Sequence, residues 1–217
     1  MYDAPPLSSG DESTVSQYFA IHPSHPQQRL VRRAAQIVRD GGLVVMPTDT
    51  LYCLGCHIGD RRALDRMRQI RQLSDRHLFT LICADLSELA TYTRVDNSSY
   101  RVLKRYTPGP ITFILQATRE ATRKLVNRKR KTLGIRVPDH PVCQALLAEL
   151  EEPMLTTSLQ MPGADYPVTD PETIRHSLDA QVDLIIDGGH CGTVPTTVVD
   201  LTDSVPEVLR PGAGELE

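Results

Sequence analysis

The stretch GGLVVMPTDTLYCLGC at 41–56 sets three polar side chains in a row, Thr48, Asp49 and Thr50, directly after the apolar run Leu43 to Met46. The run reads as a buried strand, and Pro47, which has no N–H to give to a ladder, ends it. Ligands of α/β proteins bind beyond the ends of such strands, so small donors placed there suit substrate recognition. An ordinary Asp/Thr turn before an apolar return at Gly55 fits the same spacing. Asp49 reads equally as a general base or as a carboxylate capping the turn. Arg136, in the apolar run LGIRV, is the more unusual residue, because a buried guanidinium needs a partner. Cys53 and Cys56 spell C-x-x-C. That motif is reactive at a helix start, but these residues fall in an apparent strand and read as core-facing. Cys83, Cys143 and Cys191 are scattered, no second C-x-x-C offers a zinc site, and the histidines form no helical ligand pair, so no metal site is expected. His57 reads as a strand-end histidine.

Positioning these groups requires alternating strands and helices. A first strand is expected over 18–22, then a helix over 27–40 with Leu30, Ala34, Ile37 and Val38 at helical spacing and Gly41-Gly42 ending it. Asp60 caps a helix holding Ala63, Leu64, Met67 and Ile70. LFTLIC at 78–83 is a strand, Asp85 with Glu88 forms a capping box, and Asn97 caps a further helix. Pro108-Gly109-Pro110 separates that helix from the strand at 111–117. Residues 119–131 read as a short helix running into a loop, and 132–137 as a strand. Pro141 opens a helix, MLTTS is a strand, Asp170-Pro171 opens the last helix, and VDLIID, TVVDL and EVLR close the chain as strands. The pattern predicts one α/β domain with a mixed parallel and antiparallel sheet flanked by helices. Three closing strands on short connections imply local antiparallel pairing. The polar residues 1–16 read as a disordered extension, leaving 17–217 as the domain.

Composition narrows the function. The 217-residue chain is 40% hydrophobic, with a net charge of −3. No apolar run approaches the roughly 20 residues of a membrane span. The first residues lack a basic n-region and an apolar h-region, and five cysteines without framework spacing suit a reducing compartment, so a cytoplasmic protein is expected. Charge is uneven: residues 119–131 set seven cations against Glu120, and residues 61–76 set six arginines against Asp65 and Asp75. Such runs read as solvated faces or as phosphate-binding surfaces. With three Phe, seven Tyr and no Trp, a stacking platform for single strands is disfavoured.

P-T-D-T-L-Y-C-L-G resembles the P-T-[DE]-T-x-Y-x-L-G signature of the YrdC/YciO family of threonylcarbamoyl-adenylate synthases and their paralogues. IRQLSDRHLFTLIC, TPGPITFIL, LGIRVPDHP, TTSLQMPG, PTTVVDLT and LRPGAG follow in the family's order, over roughly residues 18–215, and look most like the YciO branch. The resemblance implies a twisted single-domain YrdC-like fold with a concave, positively charged groove. It implies a nucleotidyltransferase that joins threonine, bicarbonate and ATP, accompanied by Mg²⁺, into threonylcarbamoyl-AMP and pyrophosphate for tRNA modification. Carried over by position, Thr50, Arg136, Thr156 and Thr196 fall on the threonine side, where the arginine fork suits a carboxylate. Arg71, His77, Thr132, Ser158, Gln160 and Arg210 fall on the ATP side. Arg71, Arg136 and Ser158 are the candidate catalytic groups. Arg123, Lys124, Arg128, Lys129, Arg130 and Lys131 are the candidates for contacting tRNA or double-stranded RNA.

Two departures bear on activity. Where active synthases carry Lys-x-Arg, this chain has Arg71 and Leu73; where they carry Ser-x-Asn, it has Ser158-Leu159-Gln160. Loss of one positioned donor costs about 10²–10³ in rate. The expected function is therefore a YciO-type protein that binds nucleotide and structured RNA, with weak or altered synthase activity. A fully active synthase, in which Arg71, Arg76 and Gln160 substitute for the lost groups, and a non-catalytic RNA-binding module remain the alternatives.

Overall fold

Alternation of apolar residues yields ten short strands among the described residues, and all ten join one sheet in the order β1-β8-β2-β3-β7-β4-β6-β5-β9-β10. They are β1 (Gln17–Ala20), β2 (Val44–Met46), β3 (Cys53–His57), β4 (Thr80–Ile82), β5 (Ile111–Gln116), β6 (Thr132–Arg136), β7 (Met154–Ser158), β8 (Leu184–Asp187), β9 (Thr197–Asp200) and β10 (Glu207–Arg210). The computed structural model describes residues 15–74, 77–124, 131–203 and 205–216. The extension expected at the N-terminus lies almost wholly outside them.

Seven helices pack around the sheet among these residues: α1 (Gln28–Arg39), α2 (Arg61–Arg71), α3 (Leu86–Tyr92), α4 (Asn97–Tyr106), α5 (Arg119–Lys124), α6 (Pro141–Leu150) and α7 (Pro171–Leu178). Their starts follow local chemistry. The carboxylates of Asp60, Asp85, Asp96 and Asp170 each accept from the backbone N–H three residues on, satisfying donors that have no partner within the helix. Pro occupies the first turn of α6 and α7, where its missing N–H costs nothing. Two expectations shift. Asp96, not Asn97, caps α4. The Glu88 side chain reaches back to the Ala84 N–H at 2.7 Å, beyond its capping partner Asp85.

The sheet is mixed, but not where the closing strands suggested. β9 and β10 do pair antiparallel. β8 instead lies at the other end of the sheet, parallel to both β1 and β2. There its Leu184, Ile185 and Ile186 are fully buried, so it serves as an interior strand flanked on both sides.

Strand register sorts the residues onto two faces. On one face Cys56, Leu155, Leu81, Ile135, Phe113 and Val199 sit side by side across six strands. All six belong to the larger core, with Leu64 and Met67 of α2, Leu89 of α3, Leu103 of α4 and Ile174 of α7. On the other face, Val44, Met46, Cys53, Ile82, Met154 and Leu184 pack beneath α1 and α6 in a second core. These two helices cover only part of that face. What they leave bare is the floor of the candidate site.

Candidate functional site

One residue along from the apolar row, the same strands present Gly55, Thr156, Thr80, Gly134, Ile114 and Asp200 to the other face. Beyond the reach of α1 and α6 this row becomes the floor of a cleft of about 390 Å³. Thr80, Thr112, Thr156 and Thr196 supply its hydroxyls, Gly134 lowers its centre, and His77, Ser158 and Arg210 stand at its rim. The hydroxyls are held in place by hydrogen bonds: Thr156 donates to the Thr80 carbonyl at 3.0 Å, and the Thr112 and Thr196 hydroxyls share one of 3.0 Å. The Arg210 guanidinium donates to the Thr196 carbonyl at 2.8 Å. His77 meets Thr157 Oγ1 at 3.2 Å through Nε2 and stacks edge-on against Phe79. Among the described residues no carboxylate lines the cleft.

The P-T-D-T turn closes one end of the covered region. Thr48, not Asp49, caps it: Thr48 Oγ1 accepts from the N–H groups of Thr50 and Leu51, both at 3.1 Å, and donates to the Leu51 carbonyl at 2.6 Å. Asp49 is thereby released to pair with Arg136, which is only 5% exposed. The guanidinium is engaged along its length, with Nη2 on Asp49, Nη1 on Thr50 Oγ1 at 3.1 Å and Nε on the Gly109 carbonyl at 3.0 Å. The buried arginine foreseen in the apolar strand thus has its partners within the protein. It stands at the seam: Ile82, beside it, lies under α6, whereas Gly134, two residues back on the same face, lies in the cleft.

Three thiols surround this turn. Cys143 donates to the Pro47 carbonyl at 3.0 Å, Cys191 contacts the Thr48 carbonyl, and Cys53 lies in the second core. Burial pushes the thiols of Cys53 and Cys56 up to about 12, so both stay protonated and unreactive at neutral pH. An odd spacing in a strand also sends Cys53 and Cys56 to opposite faces, one in each core. His57 ends β3 and meets Glu152 at 2.5 Å.

The structure gathers His77, Thr156, Ser158, Thr196 and Arg210 around one cleft and joins Thr50 to Arg136 beside it. Arg71 lies next to the rim, its Nε donating to the Ser158 carbonyl at 2.8 Å. Thr132 sits two residues before Gly134 on the same face, at the far end of β6. Gln160 turns aside, its amide donating to the Ala164 carbonyl within its own loop. Leu73 packs against the larger core. Of the basic stretch, Arg123 pairs with Glu120 and Lys124 with Glu152 and the Tyr92 hydroxyl, while Lys131 is exposed beside β6. Arg128, Lys129, Arg130 and Arg76 lie outside the described residues. Sequence reasoning missed Thr80 and Thr112. Their one signal was a lone threonine within an otherwise apolar strand.

Among the described residues no group of three His, Cys, Asp or Glu side chains could hold a metal ion, and no helix is long and apolar enough to cross a membrane.

With this geometry in hand, known proteins can be compared. The family model Sua5_yciO_yrdC, described as telomere recombination, matches residues 36–212. The uncharacterized protein YciO of Escherichia coli K12 is 55% identical over 203 residues, covering 94% of this chain and 98% of YciO. Its crystal structure superposes with a TM-score of 0.87 over 92% of this chain and 97% of that one, at 56% identity. A threonylcarbamoyl-AMP synthase of Bacillus subtilis is 34% identical over 185 residues, 84% of this chain but 53% of the synthase. Pyrococcus abyssi Sua5, crystallised with L-threonine, superposes with a TM-score of 0.82 at 26% identity, covering 91% of this chain and 58% of Sua5.

Proposed function

Because the chain belongs to the Sua5/YciO/YrdC family, we propose that its hydroxyl-lined cleft binds a nucleotide, with an amino acid such as threonine toward Arg136, and supports threonylcarbamoyl-AMP-synthase chemistry weakly or in altered form. Joining threonine, bicarbonate and ATP needs no covalent nucleophile. It needs held reactants and positioned donors that stabilise the departing pyrophosphate. Thr156, Ser158, Thr196 and Arg210 supply hydroxyls and one cation at the cleft. Thr50 and Arg136 supply the amino-acid end.

The observation that carries the reduced activity is the fate of the two altered motifs. Leu73 faces the core and Gln160 bonds to Ala164. Neither lines the cleft, and the Nε of Arg71 is already used on the Ser158 carbonyl. A phosphoryl-transfer site depends on such groups for most of its rate. Among the described residues no carboxylate lines the cleft, so Mg²⁺ would be held there by the nucleotide's own phosphates. The basic surface by α5 adds RNA binding through phosphate contacts, in a protein that works in the cytoplasm.

Calorimetric titration with ATP–Mg²⁺, with and without threonine and bicarbonate, together with a pyrophosphate assay, tests the reading. Binding with slow or absent pyrophosphate release is expected. Turnover equal to that of an authentic synthase would refute the reduced activity, and absence of nucleotide binding would refute the assignment of the cleft.

A further inference from the structure

Four cationic side chains, Arg94, Arg119, Arg123 and Lys131, converge on a cavity of about 710 Å³ at the end of β5 and β6, away from the seam. The backbone builds it. The Arg94 N–H donates to the Gln116 carbonyl at 2.8 Å, and the Ala117 N–H donates to the Lys131 carbonyl at 2.7 Å, so Arg94 and Lys131 flank the end of β5 from either side. Arg119 and Arg123 stand four apart on α5 and share one of its faces. Among the described residues no carboxylate lines the cavity, and only Arg123 is neutralised, by Glu120 at 2.6 Å.

A cavity at another corner of the sheet shows that arginines alone do not make such a site. It holds about 520 Å³ and is lined by Arg33, Arg62 and Arg66, but also by Asp40, Asp60 and Asp183. Arg66 bonds to Asp183 at 2.7 Å there. Its charge is spent within the protein. In the cavity by α5 three cations repel one another across a shared concave surface, an arrangement that an anion stabilises. The preference is for phosphate groups. Arginine forks and a lysine point charge are the side chains that hold them, and several cations at once call for more than one negative charge.

We propose that this cavity is a second anion site, separate from the cleft, which takes clustered phosphate groups from a free polyphosphate or from an RNA backbone. It does not depend on the function assigned to the cleft, and its RNA arm rests on the RNA binding proposed for the basic surface by α5. The test titrates the full-length protein with inorganic tripolyphosphate by calorimetry and with a fluorescein-labelled RNA hairpin by anisotropy, over a range of salt. The variants are Arg94→Gln/Arg119→Gln and the control Arg33→Gln/Arg62→Gln at the balanced cavity. All these arginines are at the surface, so folding is preserved and is checked by circular dichroism. The expected result is at least about tenfold weaker binding in the first variant alone, with a log–log salt slope for RNA shallower by about two. Loss confined to tripolyphosphate identifies a free phosphate ligand, and loss confined to RNA identifies the backbone. Both support the site. No binding of either probe by the parent protein, unchanged binding in the first variant, or an equal loss in the control variant overturns it.

Discussion

The two halves of one sheet face are built from the same strands and end in opposite chemistry. Under α1 and α6 the face carries Met46, Cys53, Ile82 and Met154, all buried in the second core. A few ångströms away it carries Thr80, Gly134, Thr156 and Thr112, open to the cleft. The sheet itself does not distinguish them, since both halves sit back to back with the continuous apolar row from Cys56 to Val199. Helix cover decides the difference. A face under helices must be apolar to be buried without cost, and a face without them is free to be polar. The covered half therefore supplies rigidity, while the bare half, backed by the larger core, becomes a firm, hydroxyl-lined floor. Where the two meet, the chain places its buried ion pair.

That seam gives the largest expected effect. Arg136→Met removes a cation that Asp49, Thr50 and the Gly109 carbonyl all depend on. Breaking one side of a buried pair costs about 3–5 kcal/mol, which in a chain of this size lowers Tm by on the order of 10 °C. Adding Asp49→Leu removes the stranded carboxylate and is expected to recover more than half of the loss. Thermal denaturation of the single and double variants checks this. A double variant no better than the single would mean that Asp49 is solvated rather than held at the seam.

The next contrast takes one substitution from each half. Leu146→Ala in α6 empties a site that is 1% exposed in the second core, with an expected cost of about 2–5 kcal/mol. Gly134→Ala on the bare half is expected to change stability by less than about 1 kcal/mol. An added Cβ meets the Phe79 carbonyl and Thr112 Cγ2 at 3.6 Å, ordinary contact, and so fits the fold. It nevertheless raises the cleft floor, so nucleotide affinity should fall while Tm holds. Paired calorimetric and denaturation measurements on the two variants separate scaffold from floor. A Gly134→Ala protein with full affinity would move the nucleotide out of this cleft.

Much of this contrast was legible in the residues themselves. MLTTS coincides with β7 residue for residue, Asp60 and Asp170 cap as their positions suggest, and the strand ended by Pro47 lies where its apolar run places it. The family's motif order led to Thr156, Thr196 and Arg210, three groups now found on one cleft. Thr80 and Thr112 escaped because a single threonine in an apolar strand has no distinguishing local pattern. They become neighbours only through a strand order, β7-β4-β6-β5-β9, that brings distant segments side by side. The partner of Asp49 escaped for a related reason. Turn chemistry is local and offered a cap or a general base, but Thr48 caps the turn, and the partner of Asp49 lies 87 residues away.

The smallest expected effect concerns how tightly α6 seals the covered half. His140 precedes that helix without capping it, and its Nδ1 is buried with no hydrogen-bond partner among the described residues. Burial lowers its pKa from the usual value of about 6.5, and the nearby Asp49 and Asp139 only partly oppose this. The unfolded chain therefore takes up the proton more readily than the folded one. Its contribution to stability is complete above the unfolded value and is lost as pH falls from there through the folded value. Thermal denaturation at pH 7.5 and 5.5, values chosen to be about one unit either side of the unfolded pKa, should show a smaller difference in His140→Gln than in the parent protein, because glutamine does not titrate. An identical pH dependence in both would mean that water reaches the imidazole, and that the covered half is open at this corner beside the seam.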